Sequence, residues 1–223
     1  MSLIKCEECG KEISETAKTC PKCGFKVKKE ISKNEKKDRI KLFVTIGIIL
    51  ACFIAVGIVC INLMHQNKVK KYKEKYEEIV DKIYSSGIEA EDCISLYRKV
   101  WYNTIWEEED TETDKYTKDS NGEFYDDFND SLHVLSSDSN FSKRISSLEI
   151  DSDIVQSLFD DLKNPPKEMK DAYDDLDELV DVYLSFINLA TNPSGSLKSY
   201  TEKYTELDDK VVSLYKKVQR NID

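Results

Sequence analysis

From Leu42 to Met64 the chain reads LFVTIGIILACFIAVGIVCINLM, without a single Asp, Glu, Lys or Arg. As a helix this run rises about 35 Å, enough to cross a hydrocarbon core of about 30 Å with some tilt. Inside a bilayer every backbone N–H and C=O must be paired within the segment, so the run is expected to be helical throughout. The apolar period then changes from continuous to amphipathic. Val69, Tyr72, Tyr76, Ile79 and Ile83 follow 3-4-3-4 spacing with Lys and Glu between them, which predicts a helical stalk over residues 65–87 that ends at Ser85, Ser86 and Gly87. That stripe is expected to pack against the rest of the domain.

Beyond Gly87 the period stays helical. Ala90, Cys93, Ile94, Tyr97, Trp101 and Ile105 make one apolar face, broken by the acidic run Glu107–Asp114 and a turn at Asp119-Ser120-Asn121-Gly122. Phe124, Phe128, Leu132 and Leu135 make a second. Ile145 and Leu148 suggest a short helical piece, and Ser152 is expected to cap another that carries Val155, Leu158, Phe159 and Leu162. Asn164-Pro165-Pro166 should end that helix and start the next, whose stripe runs from Met169 to Ala190. After the turn Asn192-Pro193-Ser194-Gly195, the stripe from Leu197 to Val218 supplies an antiparallel partner. No alternating strand pattern interrupts this order. Residues 88–223 are therefore expected to form an all-α helical bundle ectodomain, following one transmembrane helix at residues 42–64.

The remaining residues, 1–41, are too few to bury a core unaided. Their cysteines are paired: Cys6-Glu7-Glu8-Cys9-Gly10 and Cys20-Pro21-Lys22-Cys23-Gly24, with ten residues between Cys9 and Cys20. Each C-x-x-C can form a tight turn that points two thiolates at one centre, and the Gly after each pair tolerates the positive φ such a turn needs. Four thiolates would close a tetrahedral Zn²⁺ site, and the metal would supply most of the folding free energy of so small a head. An iron centre, a dithiol redox pair and disulfides are the competing uses of four cysteines.

CEECGKEISETAKTCPKCG, residues 6–24, resembles the bacterial zinc-ribbon module C-P-x-C-G-x-x-[IL]-x-x-x-A-x-F-C-P-x-C-G, found at the N-terminus of many membrane-anchored proteins. Ile13 and Ala17 fall on the module's small core positions, and Pro21 on its second knuckle. Glu7 stands in place of the first knuckle's Pro, and Thr19 in place of the usual aromatic, which thins the core and increases the dependence on metal. The resemblance covers residues 1–24 and implies a four-cysteine zinc ribbon held by Cys6, Cys9, Cys20 and Cys23. The teicoplanin-resistance-associated proteins place such a ribbon in the cytosol, before one transmembrane helix and extracellular domains. The order of parts is similar here. Their extracellular domains are largely β, whereas residues 88–223 read as helical, so their function does not transfer.

Charge divides at the apolar run. Lys and Arg stand at 12 against 7 acids before it and 21 against 36 after it, a basic head of +5 and an acidic body of −15. An acidic body repels nucleic acid and anionic lipid. Residues 25–41 carry eight Lys/Arg and read as a basic, solvated linker. Within twenty residues of the span there are nine Lys/Arg before it and six after, a slight positive-inside bias toward a cytoplasmic N-terminus. A reducing cytosol is also where a thiolate zinc site persists most readily. The run begins too far into the chain, and lacks the cleavage site, for a signal peptide. Ile49-Leu50-Ala51-Cys52 superficially resembles a lipoprotein box, but cleavage there would remove the ribbon. Gly47, Ala51 and Ala55 recur every four residues, a face on which two helices can approach closely, which offers a route to a homodimer through the transmembrane helix.

Seven scattered glycines leave no phosphate loop, and there is no G-x-S-x-G or H-E-x-x-H. His133 is the one histidine within residues 88–223, and His65 sits at the membrane edge. Residues 117–128 resemble a calcium loop at Asp119, Asn121 and Gly122, but Thr117 and Phe128 occupy the positions that need carboxylates. Acidic pairs such as Asp160-Asp161 and Asp174-Asp175 fit a solvated helix face. Together these features predict a single-pass membrane protein with a cytosolic zinc ribbon and an extracytoplasmic helical body, with no catalytic residues. The expected role is non-enzymatic, a binding, adaptor or envelope-sensing protein with a protein partner the residues do not name. Two alternatives belong to other classes. One is a ribbon that contacts nucleic acid or the transcription machinery at the membrane through Lys5, Lys11, Lys18, Lys22 and Lys26; the other is a cell-envelope hydrolase that uses paired carboxylates.

Overall fold

The computed structural model describes residues 2–27 and 33–221. They form an all-α helical bundle, one long helix with an apolar stretch, and a small N-terminal ribbon, as the apolar periods predict. Residues 28–32 of the expected basic linker lie outside the described residues. The chain divides into two compact units, residues 1–62 and 63–223.

The first unit opens with a hairpin of β1 (Leu3–Lys5) and β2 (Glu12–Ser14), antiparallel with Ile4 opposite Ile13. It ends with the first part of α1, Lys33–Trp106. Parts of the expected linker, residues 25–41, are structured. Lys26 bridges to Thr19 and Val27 N–H donates to the Lys18 carbonyl, which ties residues 25–27 to the ribbon, and residues 33–41 are helical. α1 contains one stretch long and apolar enough to cross a membrane by length and composition, and none of that stretch is buried against the chain. Phe43, Phe53, Ile61 and Met64 are among its exposed side chains.

The second unit is built from four long helices: the remainder of α1, α4 (Ser139–Asp160), α5 (Lys170–Thr191) and α6 (Leu197–Gln219). Two short helices, α2 (Asp114–Thr117) and α3 (Phe128–Ser137), fill the connection between α1 and α4. Cross-helix pairs give the directions. Lys75–Asp161 (2.7 Å) and Lys82–Asp151 (2.5 Å), followed by Glu89 with Arg144, ascend α1 while descending α4, so the two are antiparallel. His65 pairs with Glu168 (2.5 Å) and Ser86 with Tyr183 (2.7 Å), so α5 runs parallel to α1. Lys217–Asp175 (2.8 Å) and Tyr200 against Leu189 make α6 antiparallel to α5. The alternation is up, down, up, down.

The core follows the predicted stripes. Tyr72, Tyr76, Ile79 and Ile83 are buried, so the stalk stripe packs into the bundle. Two expected boundaries are absent. α1 runs straight through Ser85, Ser86 and Gly87 to Trp106, because both serine hydroxyls donate back to the Lys82 carbonyl and Gly87 keeps an ordinary φ. Its glycine cost of about 1 kcal/mol is outweighed by side chains buried on either side, Ile83 before and Ala90 and Cys93 after. Ser152 caps nothing: it lies within the continuous α4, with its hydroxyl on the Glu149 carbonyl. The cap is Asp138, which accepts the amides of Asn140 and Phe141 at 3.0 Å, and these amides hold its carboxyl below the usual range. Ile105, expected on the buried face, is exposed, and Val100 is buried in its stead.

Helix ends are closed by tyrosines where prolines leave carbonyls open. The Leu189 carbonyl, near the end of α5, would take the amide four residues on, but that residue is Pro193; Tyr200 donates its hydroxyl instead at 3.1 Å. Beyond α4, the Leu162 carbonyl faces Pro165 and Pro166 three and four residues on, and Tyr72 donates to it at 3.2 Å. Burial raises both phenols above a range in which they are already protonated donors.

Tyr72→Phe and Tyr200→Phe should each cost about 1–3 kcal/mol, since each leaves a carbonyl without its donor. Tyr215→Phe, whose hydroxyl only accepts from Gln219 at the surface, should change stability little. Urea unfolding of the detergent-solubilised chain, followed by tryptophan fluorescence, reads the difference. Cys93 is fully buried, and burial pushes its thiol up to about 11. An impermeant maleimide at pH 8 should leave it unmodified in the native protein and label it fully in urea, as site-resolved mass spectrometry would report.

Candidate metal centre

The ribbon is two copies of one backbone turn. In the first, Gly10 N–H donates to the Cys6 carbonyl (2.8 Å) and Cys6 N–H to the Lys11 carbonyl (2.9 Å); in the second, Gly24 N–H donates to Cys20 (2.9 Å) and Cys20 N–H to Phe25 (2.8 Å). Each turn closes through a glycine in the left-handed region, Gly10 at φ 66° and Gly24 at φ 74°. The β1–β2 hairpin sets the first turn, and the Thr19–Lys26 bridge closes the second.

The two turns face each other. The sulfurs of Cys6, Cys9, Cys20 and Cys23 lie within 4.8 Å of one another, with 3.6 Å between Cys6 and Cys23 and 3.7 Å between Cys9 and Cys20. Thiolates about 2.3 Å from a zinc ion define a tetrahedron with edges of about 3.8 Å, so the donor set fits zinc. All four cysteines are free of disulfide bonds. The Lys22 amide, then that of Cys23, pulls the Cys20 thiol down to about 6 against its desolvation. The Phe25 amide favours the Cys23 thiolate too, but desolvation and the neighbouring sulfurs outweigh it and push Cys23 up to about 12. Four sulfurs this close cannot all be thiolates without a cation among them. A bound zinc would supply that charge, and with four protein sulfurs around it the site is closed, as structural sites are.

Ile13 is buried at 3% exposure beneath the sulfurs, with Ile4, Phe25 and Val27 packed around it. Ala17 is only half-buried and Thr19 is exposed. Phe25 and Val27 therefore supply apolar cover that the exposed Thr19 does not. They belong to the head, although composition alone assigns them to the basic linker.

The other candidates are not assembled into sites. His133 is exposed on α3. Asp119 accepts the amides of Asn121 (2.8 Å) and Glu123 (3.0 Å), so its carboxylate closes its own loop. Asp160 pairs with Lys163, Asp161 with Lys75, Asp174 with Lys170 and Asp175 with Lys217.

Residues 5–27 match the zinc-ribbon domain family. An uncharacterized protein of Haemophilus influenzae is 57% identical over 30 residues, which make up 14% of this chain and 40% of that protein. No solved structure matches the chain.

Cys20→Ser should abolish stoichiometric zinc and unfold residues 2–27, because one lost thiolate opens the site that holds a core of this size together. Metal analysis of the purified protein, with circular dichroism to follow the unchanged helical signal, checks both parts.

Proposed function

We propose that the protein is a single-pass membrane adaptor, with its zinc ribbon in the cytosol and its acidic helical body outside, which binds a partner and reports an envelope state inward without catalysing a reaction. The observation that carries this reading is the apolar stretch of α1, uncovered by the chain and set between a metal-binding head and a bundle with its own core. A closed four-sulfur site has no position for a substrate, which supports a structural use of the metal. The engagement of Asp160, Asp161, Asp174 and Asp175 in ion pairs supports a body that binds rather than hydrolyses. Lys5, Lys11, Lys18, Lys22 and Lys26 are all exposed, but so are Glu7, Glu8, Glu12 and Glu15, so the ribbon surface is nearly balanced in charge and favours a protein contact over nucleic acid.

Protease added to intact cells should digest loops of the body, such as residues 107–127, and spare the ribbon. Cleavage of the ribbon with protection of the body would reverse the topology. Cross-linked partners recovered with the intact chain should divide into a set lost on deleting the ribbon and another lost on deleting the body. Release of soluble fragments from purified cell-wall polymer by the intact protein would replace the adaptor reading with a hydrolase.

A further inference from the structure

Between α1 and α6 lies a pocket of about 240 Å³, just under the size usual for small-molecule sites. Ile83, Ile88, Val211 and Val212 give it apolar walls, and Phe186 from α5 lines its buried end. One side is a pair of stacked rings, Tyr84 and Tyr215, with centroids 5.4 Å apart. Tyr84, Ile88 and Val212 are exposed at 55%, 46% and 43%, so the apolar surface opens to the outside.

Two carboxylates share this lining, Glu91 from α1 and Asp208 from α6. Glu91 accepts the Tyr204 hydroxyl at 3.2 Å. Among the described residues neither acid has a Lys, Arg or His nitrogen within 4.0 Å, whereas Asp161, Asp151, Glu89 and Asp175 at the other helix contacts do. Lys216, the cation in the lining, sits eight residues along α6 from Asp208, about 12 Å by helical rise. Desolvation, then Glu91, raises the Asp208 carboxyl, consistent with an acid facing uncompensated negative charge.

Gly87 also lines the pocket. It lies inside α1 with no positive φ, and a Cβ added there would meet nothing within 4 Å. Neither backbone nor packing requires glycine, which is less favourable than alanine in a helix interior. What the missing side chain does is leave the pocket open.

We propose that this pocket binds a small organic ammonium ion with an apolar body, the cation held by Glu91 and Asp208 and the body lying against the Tyr84–Tyr215 stack. Apolar walls alone would accept any hydrophobic molecule. The acids select the cation, and the tyrosine rings, seven residues away along each helix, take the apolar body. This goes beyond the adaptor reading and is independent of topology, since every contributing residue lies within residues 63–223.

Equilibrium dialysis of the full chain in zwitterionic lipid nanodiscs against phenethylammonium, with empty nanodiscs as blank, tests it. Saturable one-site binding is expected, at least tenfold weaker for the neutral 2-phenylethanol and for the E91Q/D208N double variant. Gly87→Leu should abolish binding while the thermal midpoint is unchanged or raised. Gly87→Ala, which takes less of the space, should keep binding and raise the midpoint. Absence of saturable binding, equal affinity for the alcohol, or full binding by E91Q/D208N would overturn the proposal. So would binding that survives in a folded Gly87→Leu protein.

Discussion

The bundle depends on burial along one seam of α1. Tyr72, Tyr76, Ile79, Ile83, Ala90, Ile94, Tyr97 and Trp101 are all buried, and α4, α5 and α6 each lay a stripe against them. Full burial of a large apolar side chain stabilises by roughly 1.5–3 kcal/mol, whereas ion pairs at a protein surface typically contribute about 1 kcal/mol or less. The pairs of α1 with α4 therefore fix orientation more than they add stability. The same helix that organises this core also carries the uncovered apolar stretch. Its two parts are distinguished by what surrounds them: protein for the later residues, and no part of the chain for the earlier ones.

The ribbon reaches order by another route. Its buried core is little more than Ile13, Cys6 and Cys20, so the chain's own packing cannot offset the entropy of fixing its loops. Two glycine-closed turns bring four sulfurs to tetrahedral spacing, and a cation is what makes that juxtaposition favourable. The head and the body are thus stabilised by different physics, metal–thiolate bonds in one and apolar burial in the other.

Much of this is legible in the residues. Helical period identifies the stripes of α1, α5 and α6, and paired C-x-x-C motifs identify the four cysteines whose sulfurs converge. What misleads are local breakers. Ser85, Ser86, Gly87 and Ser152 carry weak helix-ending signals of about 1 kcal/mol or less, while several buried side chains on both flanks hold each helix through them. The cap at Asp138 escapes a reading of the residues because its amide partners matter only once the chain turns there. Phe25 reads as part of a charged tether because its apolar neighbours, Ile4 and Ile13, are distant in sequence. The pocket between α1 and α6 has no signature at all, because its two acids are far apart along the chain and become neighbours only in the bundle.

The two proline-tyrosine pairs set the axial register of the bundle. At each site a proline leaves a carbonyl without its local amide, Leu189 near the end of α5 and Leu162 in the turn after α4, and a phenol rooted elsewhere in the bundle meets it: Tyr200 of α6 and Tyr72 of α1. A hydrophobic stripe alone tolerates sliding, since a shift by one turn brings similar side chains back into apposition. A phenol and an open carbonyl coincide at one height only. Sliding α5 against α6 by a turn, or α1 against the end of α4, would strand a donor and an acceptor together in the interior. These bonds act as detents, and they imply that length changes can accumulate in the acidic connection around α2 and α3 but not in the short turn between Leu189 and Tyr200.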